Sequence, residues 1–264
     1  MEDITVKSWN DLQERLYEGS WNESLGRFRS PLAYRGMQDA GFGLSTSLVR
    51  LGGEYQRHED DLLRNFRKYA HASSTPLLGD SVWHWLALGQ HHGLPTRMLD
   101  WSYSPLVALH FATADLADFE CDGIVWCVNY IESNKLLPNS LKGILEKYDS
   151  NIFTAEMLSE AAGTLTDFEQ LSEDDFVAFL EPPSLDDRIV NQYALFSLMS
   201  RPGSDLGCWL EDHPALTRRI IIPADLKWEI RDKLDQANIT ERVLFPGLDG
   251  LSSWLRRYYS PRRP

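Results

Sequence analysis

The amino-acid sequence predicts an α+β protein: a single domain with a central, mainly β core that helices flank. Segments with apolar residues at helical spacing alternate along the chain with short, continuous apolar runs that are typical of buried strands. The 264 residues are 43% hydrophobic and include nine Trp, eleven Phe and ten Tyr, which is enough apolar surface for a large core. We therefore expect residues 1–264 to form one domain.

Helices are predicted over residues 9–19, 54–72, 81–92 and 105–117. Ser8 is a candidate N-cap for the first of them. Gly93 and Pro95 must end the third, because glycine favours the left-handed turn after a helix and proline cannot continue one. Ser104 caps the fourth helix, and Pro105 occupies its first turn.

Strands are predicted where apolar and aromatic residues run together. The stretch SPLAYRG reads as a strand that ends at Gly36, and GIVWCVNY and RRIIIP are two further candidates. The stretch RIVNQYALFSLM, residues 188–199, fits either a strand or a helix, because its apolar residues follow neither period cleanly.

Charge and segment length narrow the function classes. A formal charge of −13 opposes general binding to nucleic-acid backbones or anionic membranes. No apolar stretch reaches the roughly 20 residues of a membrane-spanning helix, and the first residues lack a secretory signal, so we expect a cytoplasmic protein without a membrane anchor.

Two segments have a strongly biased charge. Residues 145–187 contain many carboxylates and only one basic residue, Lys147. Such a segment is usually a solvated face, and the alternative is a docking surface for a basic or mixed-charge antitoxin or chaperone. Residues 258–264 form a basic C-terminal tail, which we interpret as a helix end followed by a frayed terminus rather than a nucleic-acid arm.

The stretch LALGQHHGLPTRMLDW, residues 86–101, concentrates polar groups between apolar segments. His91 and His92 fall where a helix must end, beside its unpaired carbonyl groups. Arg97 and Asp100, in a predicted loop, can pair with each other or with the backbone. Two interpretations stay open: a polar network that fixes the packing of two helices, or a ligand-binding loop. A metal is not expected, because adjacent histidines cannot readily chelate from one helical face.

Four blocks of the sequence resemble the FRG domain family. They are YRGMQDAGFGLSTSLVR, QHHGLPTRMLDWSYSPLVALHFA, RIVNQYALF and LFPGLDGL, and together they span residues 34–251. The motif that gives the family its name is present as Tyr34, Arg35 and Gly36. The resemblance implies kinship and not a specific activity.

Shorter stretches resemble ADP-ribosyltransferases. Arg35 before Gly36, followed by Ser45 and Thr46 of a Ser-Thr-Ser run, resembles the arginine-type enzymes. NQYALF resembles the stretch around the catalytic glutamate of the polymerase-type enzymes, with Gln192 in the place of that glutamate. The resemblance implies a related fold, NAD as substrate, and an arginine that orients NAD. A glutamine brings no negative charge to the ribose, so the departure bears directly on catalysis.

These resemblances lead to a functional hypothesis. We expect an NAD-dependent mono-ADP-ribosyltransferase, a toxin or phage-defence effector that modifies nucleic acid or protein. The predicted catalytic residues are Arg35, Gln192 and His92. The predicted NAD-binding residues are Tyr34, Arg35, Ser45, Thr46, His91, His92, Arg97 and Asp100.

Two other classes of function remain open. The first is a non-catalytic nucleotide-binding or protein-interaction module, and the weaker second is a metal hydrolase. Polar residues at the ends of apolar segments are typical of the rim of a site, so Arg35, the 91–100 stretch and Gln192 are predicted to surround one cleft.

Overall fold

The computed structural model describes residues 3–54, 58–70, 81–184 and 186–262. The strands are β1 (Asp3–Thr5), β2 (Trp21–Asn22), β3 (Arg27–Phe28), β4 (Leu32–Met37), β5 (Met98–Ser102), β6 (Gly123–Asn129), β7 (Val177–Leu180), β8 (Ala194–Met199) and β9 (Thr217–Ile222). The helices of the first half are α1 (Trp9–Tyr17), α2 (Ser47–Arg50), α3 (Glu59–Ala70), α4 (Val82–His91), α5 (Pro105–Ala112), α6 (Tyr130–Ser133) and α7 (Asn139–Lys147). Those of the second half are α8 (Ala155–Ala161), α9 (Leu165–Glu169), α10 (Asp187–Asn191), α11 (Leu206–Asp212), α12 (Lys227–Gln236), α13 (Glu241–Leu244) and α14 (Leu248–Tyr258).

Seven of the described strands form one mixed sheet in the order β1-β9-β6-β4-β5-β8-β7. The pairing of β1 with β9 is parallel, and the other pairings are antiparallel. Strands β2 and β3 form a separate hairpin. The predicted class, a central sheet with flanking helices, is confirmed. No helix in the described ranges is long and apolar enough to cross a membrane.

Alternating side chains of the sheet enter different hydrophobic clusters, as the two-residue period of a strand requires. On one face, Tyr34, Val125 and Ile220 pack with apolar residues of α1, α5 and α12. On the same face but across β5, β7 and β8, Met98 and Phe196 pack under α4, α7 and α8. This face is therefore covered by two separate groups of helices, one over each half of the sheet.

The two halves of the sheet meet between β4 and β5, and these strands barely pair. Tyr34 opposite Ser102 is their one register pair, whereas β4 and β6 pair at six positions and β5 and β8 at five. Beyond Tyr34 the two strands diverge. The divergence opens a gap in the sheet between the two groups of helices.

Gly36 holds β4 against α5. A Cβ atom at this position would lie 1.7 Å from the carbonyl oxygen of Ala108 and 2.7 Å from its carbonyl carbon, so the backbones approach more closely than any side chain permits. The glycine that was predicted to end this strand is instead an interior residue of β4 that is needed for close packing.

Several predicted elements need correction. The predicted helix 54–72 is observed as α3, while residues 55–57 and 71–80 lie outside the described ranges. The helix predicted over 105–117 ends at Ala112, and a 3-10 turn follows at Leu116–Asp118. Asp100, predicted in a loop, lies on β5. The ambiguous stretch 188–199 contains both a helix, α10, and a strand, β8.

The C-terminal helix is less exposed than its basic sequence suggested. Arg257 is buried and forms ion pairs with Asp235 and Glu241, with N–O distances of 2.6 and 2.5 Å. Tyr258 and Tyr259, in the predicted tail that follows, are exposed. The helix end is therefore anchored, because breaking such a buried pair strands a charge in the interior.

A buried polar group links α5 to α12. The Arg231 guanidinium donates a hydrogen bond to Nδ1 of His110 at 3.0 Å, and both side chains are almost completely buried. Burial, assisted by the positive charge of Arg231, lowers the pKa of His110 to about 3. The folded protein thus holds this imidazole neutral, as an acceptor.

Gly36→Ala should destabilise the fold, because the new methyl group would collide with the Ala108 carbonyl. We expect a loss of about 3 kcal/mol or more in the free energy of unfolding, measured by urea denaturation. Gly43→Ala is the matched control, since a Cβ atom there meets nothing within 4 Å. Equal stability of the two variants would contradict the close contact.

His110 should make stability depend on pH. Its folded pKa is depressed, so its contribution is fully present above the unfolded value of about 6.5 and is lost as the pH falls toward the folded value. Between pH 7 and pH 5 this loss amounts to about 2 kcal/mol in the free energy of unfolding. His110→Gln should reduce the pH dependence by that amount, whereas His58→Gln, at an exposed position, should not. An unchanged dependence in His110→Gln would show that the imidazole is not held neutral.

Candidate functional site

The gap between β4 and β5 contains a cavity of about 190 Å³, which we call the inner cavity. It is lined by Tyr34, Arg35, Gly36, Gln90, His91, Asp100, Trp101, Ser102, Phe111, Arg188, Ile189, Gln192, Ala194 and Phe196. The predicted common cleft is therefore present: Arg35, His91, Asp100 and Gln192 surround one space although they are distant in sequence.

A larger depression of about 590 Å³, the outer basin, adjoins the inner cavity. Arg35, Gln90, His91, Asp100 and Arg188 line both spaces. The remaining residues of the outer basin are Ser47, Arg50, His92, Gly93, Leu94, Met98 and Leu99. The inner cavity has aromatic walls and the outer basin has polar ones, so the cleft as a whole suits a ligand with one flat end and one charged end.

Arg35 spans the gap between the diverging strands. Its Nη1 donates a hydrogen bond to the carbonyl oxygen of Asp100 at 2.5 Å, and its Nε has no acceptor among the described residues. Burial lowers the pKa of Arg35, the Asp100 carboxylate opposes that effect, and Arg50 adds to the lowering. Arginine nevertheless keeps its charge in proteins, so this guanidinium is a cation with unused hydrogen-bonding capacity.

Two more guanidinium groups lie beside Arg35. Arg188 lines both spaces, its Nε lacks an acceptor among the described residues, and its guanidinium carbon lies 5.1 Å from the centre of the Phe245 ring. Arg50 lines the outer basin and donates a hydrogen bond to the carbonyl oxygen of Ser45. Three guanidinium groups at one cleft favour an anionic ligand such as a phosphate.

Asp100 is the carboxylate of the cleft. Its side chain is exposed, and its Oδ1 accepts a hydrogen bond from Nε2 of Gln90 at 3.1 Å. The Gln90 amide is fixed in turn, because its Oε1 accepts a 2.5 Å hydrogen bond from Oγ1 of Thr96. Asp100 is therefore oriented by α4 and presented by β5 to the same space as Arg35.

His91 and His92 have different roles. Nε2 of His91 lies 2.6 Å from Oδ2 of Asp186, whose Oδ1 accepts a 3.1 Å hydrogen bond from the Ile189 amide and caps α10. Burial alone would raise the pKa of Asp186, but the hydrogen bonds and the contact with His91 lower it overall. His91 thus connects the end of α4 to the start of α10. His92, the exposed C-cap of α4, lines only the outer basin.

The described residues contain no group of three or more His, Cys, Asp or Glu placed to hold a metal ion. The two adjacent histidine rings meet edge to face with centroids 5.0 Å apart.

Gln192 has a structural task. Its side-chain Nε2 donates a hydrogen bond to the carbonyl oxygen of Leu244 at 2.9 Å. Its main-chain carbonyl oxygen accepts a hydrogen bond from Oγ of Ser102 at 2.7 Å. Nδ2 of Asn191 donates to the Val243 carbonyl oxygen beside it, at 2.8 Å. These bonds satisfy carbonyl groups at the end of α13 and fix one wall of the inner cavity.

Three other predicted binding residues, Ser45, Thr46 and Tyr34, have contacts with the protein's own backbone. Thr46 is buried, and its Oγ1 accepts the Val49 amide and caps α2. Ser45 contributes the carbonyl group that Arg50 contacts. Tyr34 presents its ring to the inner cavity while its hydroxyl donates to the Leu16 carbonyl oxygen. Ser45 and Thr46 line neither space.

Arg97 lies in the core and lines neither space. It is 3% exposed, its Nε lies 2.6 Å from Oε2 of Glu59, and its Nη2 lies 2.7 Å from Oε1 of Glu169. Its Nη1 also donates to the carbonyl oxygen of Ser200 at 3.0 Å. For this residue the polar-network interpretation describes the observed contacts, and the partners are Glu59, Glu169 and the Ser200 carbonyl group rather than Asp100.

Arg50, Arg188, Gln90 and Phe111 belong to the cleft although sequence reasoning did not select them. For Arg188 a signal existed: it precedes Gln192 by four residues, so a helical assignment would have placed both on one face. Phe111 and Arg50 reach the cleft through tertiary packing, which no local pattern shows.

The acidic segment 145–187 is not one continuous solvated face. Phe176 and the whole of β7 are buried within it. Several of its carboxylates have partners: Glu156 contacts His84, Glu160 contacts Lys147, Glu169 contacts Arg97, and Asp175 contacts Arg201. Its binding to an antitoxin or chaperone stays a prediction, and fewer carboxylates are free for it than the sequence suggested.

The fold and the cleft together define an α+β domain in which three guanidinium groups line a cleft at a break in the sheet. Residues 30–121, about a third of the chain, match the model of the FRG domain. The FRG assignment predicted from sequence is confirmed for this segment, which contains Arg35, His91, Arg97 and Asp100. No curated protein and no solved structure matches the chain. The activity must therefore be inferred from the cleft.

Arg97→Met should destabilise the protein by about 3–5 kcal/mol, because it leaves the buried Glu59 carboxylate without its partner. The measurement is the free energy of unfolding in urea. Arg97→Met with Glu59→Leu should recover much of the loss, since both charges are then removed. Arg201→Met, which breaks an exposed pair with Asp175, should cost about 1 kcal/mol or less. Wild-type stability of Arg97→Met would show that the pair does not support the core.

Proposed function

We propose that the protein is an NAD-dependent mono-ADP-ribosyltransferase whose NAD site is formed by the inner cavity and the outer basin. The observation that supports this most directly is the position of Asp100. It brings a carboxylate to the same space as Arg35 and Gln192. A negative charge is therefore available at the cleft even though a glutamine stands where the resemblance to polymerase-type enzymes implies a glutamate.

The cleft fits the chemistry of a dinucleotide. Arg35 and Arg188 each have a buried Nε without an acceptor among the described residues, and Arg50 faces the adjoining outer basin. A pyrophosphate offers oxygen acceptors for all three, and guanidinium groups bind such oxygens in pairs. The aromatic walls of the inner cavity, among them Phe111 and Phe196, offer surfaces for a flat ring.

The size of the site supports the same conclusion. The inner cavity alone, at about 190 Å³, is smaller than the roughly 300 Å³ at which small-molecule sites usually begin. The adjoining outer basin, at about 590 Å³, brings the combined space into the usual range. A ligand that extends from one space into the other would contact Arg35 at their boundary.

The proposed reaction breaks the bond between the ribose carbon and the nicotinamide nitrogen. The electron pair leaves with nicotinamide, which becomes neutral, and positive charge develops on the ribose. Asp100 stabilises that charge from a position fixed by Gln90. A nucleophilic group of the acceptor then bonds to the ribose carbon and releases its proton to Asp100 or to solvent.

The other predicted catalytic residues act less directly in this proposal. Gln192 fixes the cavity wall through Leu244 and can present its side-chain oxygen to a ribose hydroxyl. His92 lies at the outer basin, where a ring N–H group can donate a hydrogen bond to a phosphate oxygen. His91 positions α10 through Asp186 and so places Arg188 and Ile189 at the cavity.

A second candidate is a nucleotide-binding module without catalysis. The observation that favours it is the commitment of the Gln192 amide to the end of α13, where it stabilises structure and carries no charge. In this candidate the same three arginines hold the phosphates, and Asp100 binds a ribose hydroxyl. The two candidates agree on binding and differ in whether nicotinamide is released.

Asp100→Asn separates binding from chemistry. The asparagine oxygen can still accept the hydrogen bond from Gln90, so the local structure should persist. We expect the rate of nicotinamide release from labelled NAD to fall by about a hundred- to a thousand-fold, as for loss of an electrostatic transition-state contact, with little change in the NAD dissociation constant. Arg35→Lys should raise the dissociation constant of NAD, measured by calorimetry, by roughly ten- to a hundred-fold without a change in melting temperature.

Asp225→Asn and Arg256→Lys are the matched controls, because both residues are exposed and line neither space. Both should behave as the wild type. Wild-type binding of NAD by calorimetry without nicotinamide release, with or without a cell extract as acceptor, would select the non-catalytic module. Absence of NAD binding by the wild-type protein would reject both candidates.

A further inference from the structure

Helix α10 has two faces with different exposure. Arg188, Ile189 and Gln192 line the inner cavity on one side of the helix and its C-cap. At 100° per residue, Asp187 and Val190 project from the opposite side. Both are exposed, Val190 to 58%. The helix that forms a wall of the cleft thus presents a second surface to the outside.

This second surface continues into three tyrosines. The amide of Tyr193 donates a hydrogen bond to the Val190 carbonyl oxygen, and its side chain is 61% exposed. The rings of Tyr193 and Tyr103 lie 5.1 Å apart, and Tyr130 lies next to Tyr103 with ring centroids 5.9 Å apart. The Tyr103 hydroxyl donates to Glu181 at 2.7 Å.

We call the surface formed by Asp187, Val190, Tyr193, Tyr103 and Glu181 the outer strip. It has an apolar and aromatic centre with an exposed carboxylate at each end. Burial and the hydrogen bond to Glu181 raise the pKa of Tyr103, so its hydroxyl remains the donor in this pair. The one basic residue of α10, Arg188, projects into the cleft instead.

We propose that the outer strip docks a basic segment of the acceptor protein, in which an arginine or lysine lies beside an apolar side chain. The cation pairs with Asp187 or Glu181 and can lie over the Tyr193 ring, and the apolar side chain covers Val190. A nucleic acid fits poorly, because its phosphates would face the two carboxylates. The proposal rests on the proposed function in treating the docked protein as the acceptor.

The outer strip lies next to the wall of the cleft. Gln192 and Tyr193 are adjacent, and Gln192 lines the cavity while Tyr193 projects outward. A segment bound on the outer strip is therefore held within one residue's length of the cleft wall. Such positioning raises the local concentration of the acceptor without contributing a group to the reaction itself.

Docking can be measured without NAD. The probe is a fluorescein-labelled peptide of alternating arginine and leucine, and its binding to the full-length protein is followed by anisotropy. Tyr193→Ala and Asp187→Lys should each raise the dissociation constant at least ten-fold. Tyr258→Ala, at a tyrosine that is 57% exposed on α14, and Asp174→Lys, which makes the same charge change in an exposed turn, should leave it within two-fold.

Equal weakening by Asp187→Lys and Asp174→Lys would show general attraction to an acidic protein and overturn the proposal. Equal binding of a peptide with glutamate in place of arginine, or tighter binding of a single-stranded oligonucleotide that Tyr193→Ala abolishes, would also overturn it. The circular-dichroism melting curve of each variant confirms that it is folded. Tyr193→Gly, which removes the ring but suits the positive φ of 48° at this position, serves as a second variant if Tyr193→Ala does not fold.

Nicotinamide release separates this proposal from the proposed function. If the proposed function and the docking proposal both hold, Tyr193→Ala lowers the labelling of a protein acceptor at least ten-fold. The rate of nicotinamide release by hydrolysis of NAD, without an acceptor, then stays unchanged. If the protein has no activity on NAD, the peptide measurement still decides whether the outer strip docks a basic segment. If NAD is cleaved and the peptide binds all variants alike, the docking proposal alone fails.

Discussion

The cleft depends on one constraint, the divergence of β4 from β5. Close backbone contact at Gly36 holds β4 against α5, while β5 is paired along its whole length with β8. The strands meet at Tyr34 and Ser102 and then follow different halves of the sheet. Their unpaired backbone groups need other partners, and the Arg35 guanidinium supplies one by bonding the Asp100 carbonyl oxygen. The residue that bridges the sheet is therefore also the cation at the centre of the cleft.

Two arginines of the FRG segment differ in how completely their guanidinium groups are paired: Arg97 is buried and Arg35 is half-buried. Arg97 has carboxylates and a carbonyl group around its guanidinium, and the network fixes β5 against α3 and α9. Arg35 has one carbonyl partner and an unpaired Nε, with Arg50 close enough to disfavour its charge. A cation that is partly withdrawn from water and incompletely paired lowers the stability of the fold. An anionic ligand would supply acceptors for Arg35, so its incomplete pairing favours anion binding.

The sequence predicted the sheet-and-helix class, three strands of the sheet (β4, β6 and β9) and the grouping of Arg35, His91, Asp100 and Gln192 around one cleft, but it missed β1, β5 and β7. It assigned Asp100 to a loop because β5 is only five residues long, and it assigned Arg97 to the cleft although this residue lies in the core. Their spacing of three, which allows pairing on a helix, puts them on opposite sides of an extended chain. The stretch 188–199 had no single period because it contains a helix and a strand joined at Tyr193. Arg50 and Phe111 reach the cleft only through tertiary packing, which local patterns do not encode.

In the proposed chemistry the carboxylate of the site is Asp100 on β5, whereas the resemblance to polymerase-type enzymes implies a glutamate at position 192, at the end of α10. A carboxylate at position 192 would have its charge beside the carbonyl oxygens of α13, where like partial charges oppose it, whereas the amide of Gln192 donates to one of them. At position 100 a carboxylate accepts a hydrogen bond from Gln90 and lines the same space as Arg35. With the carboxylate on β5, α10 forms a wall of the cleft on one face and an exposed surface on the other. A neutral Gln192 is thus compatible with catalysis, provided that Asp100 supplies the charge from the opposite strand.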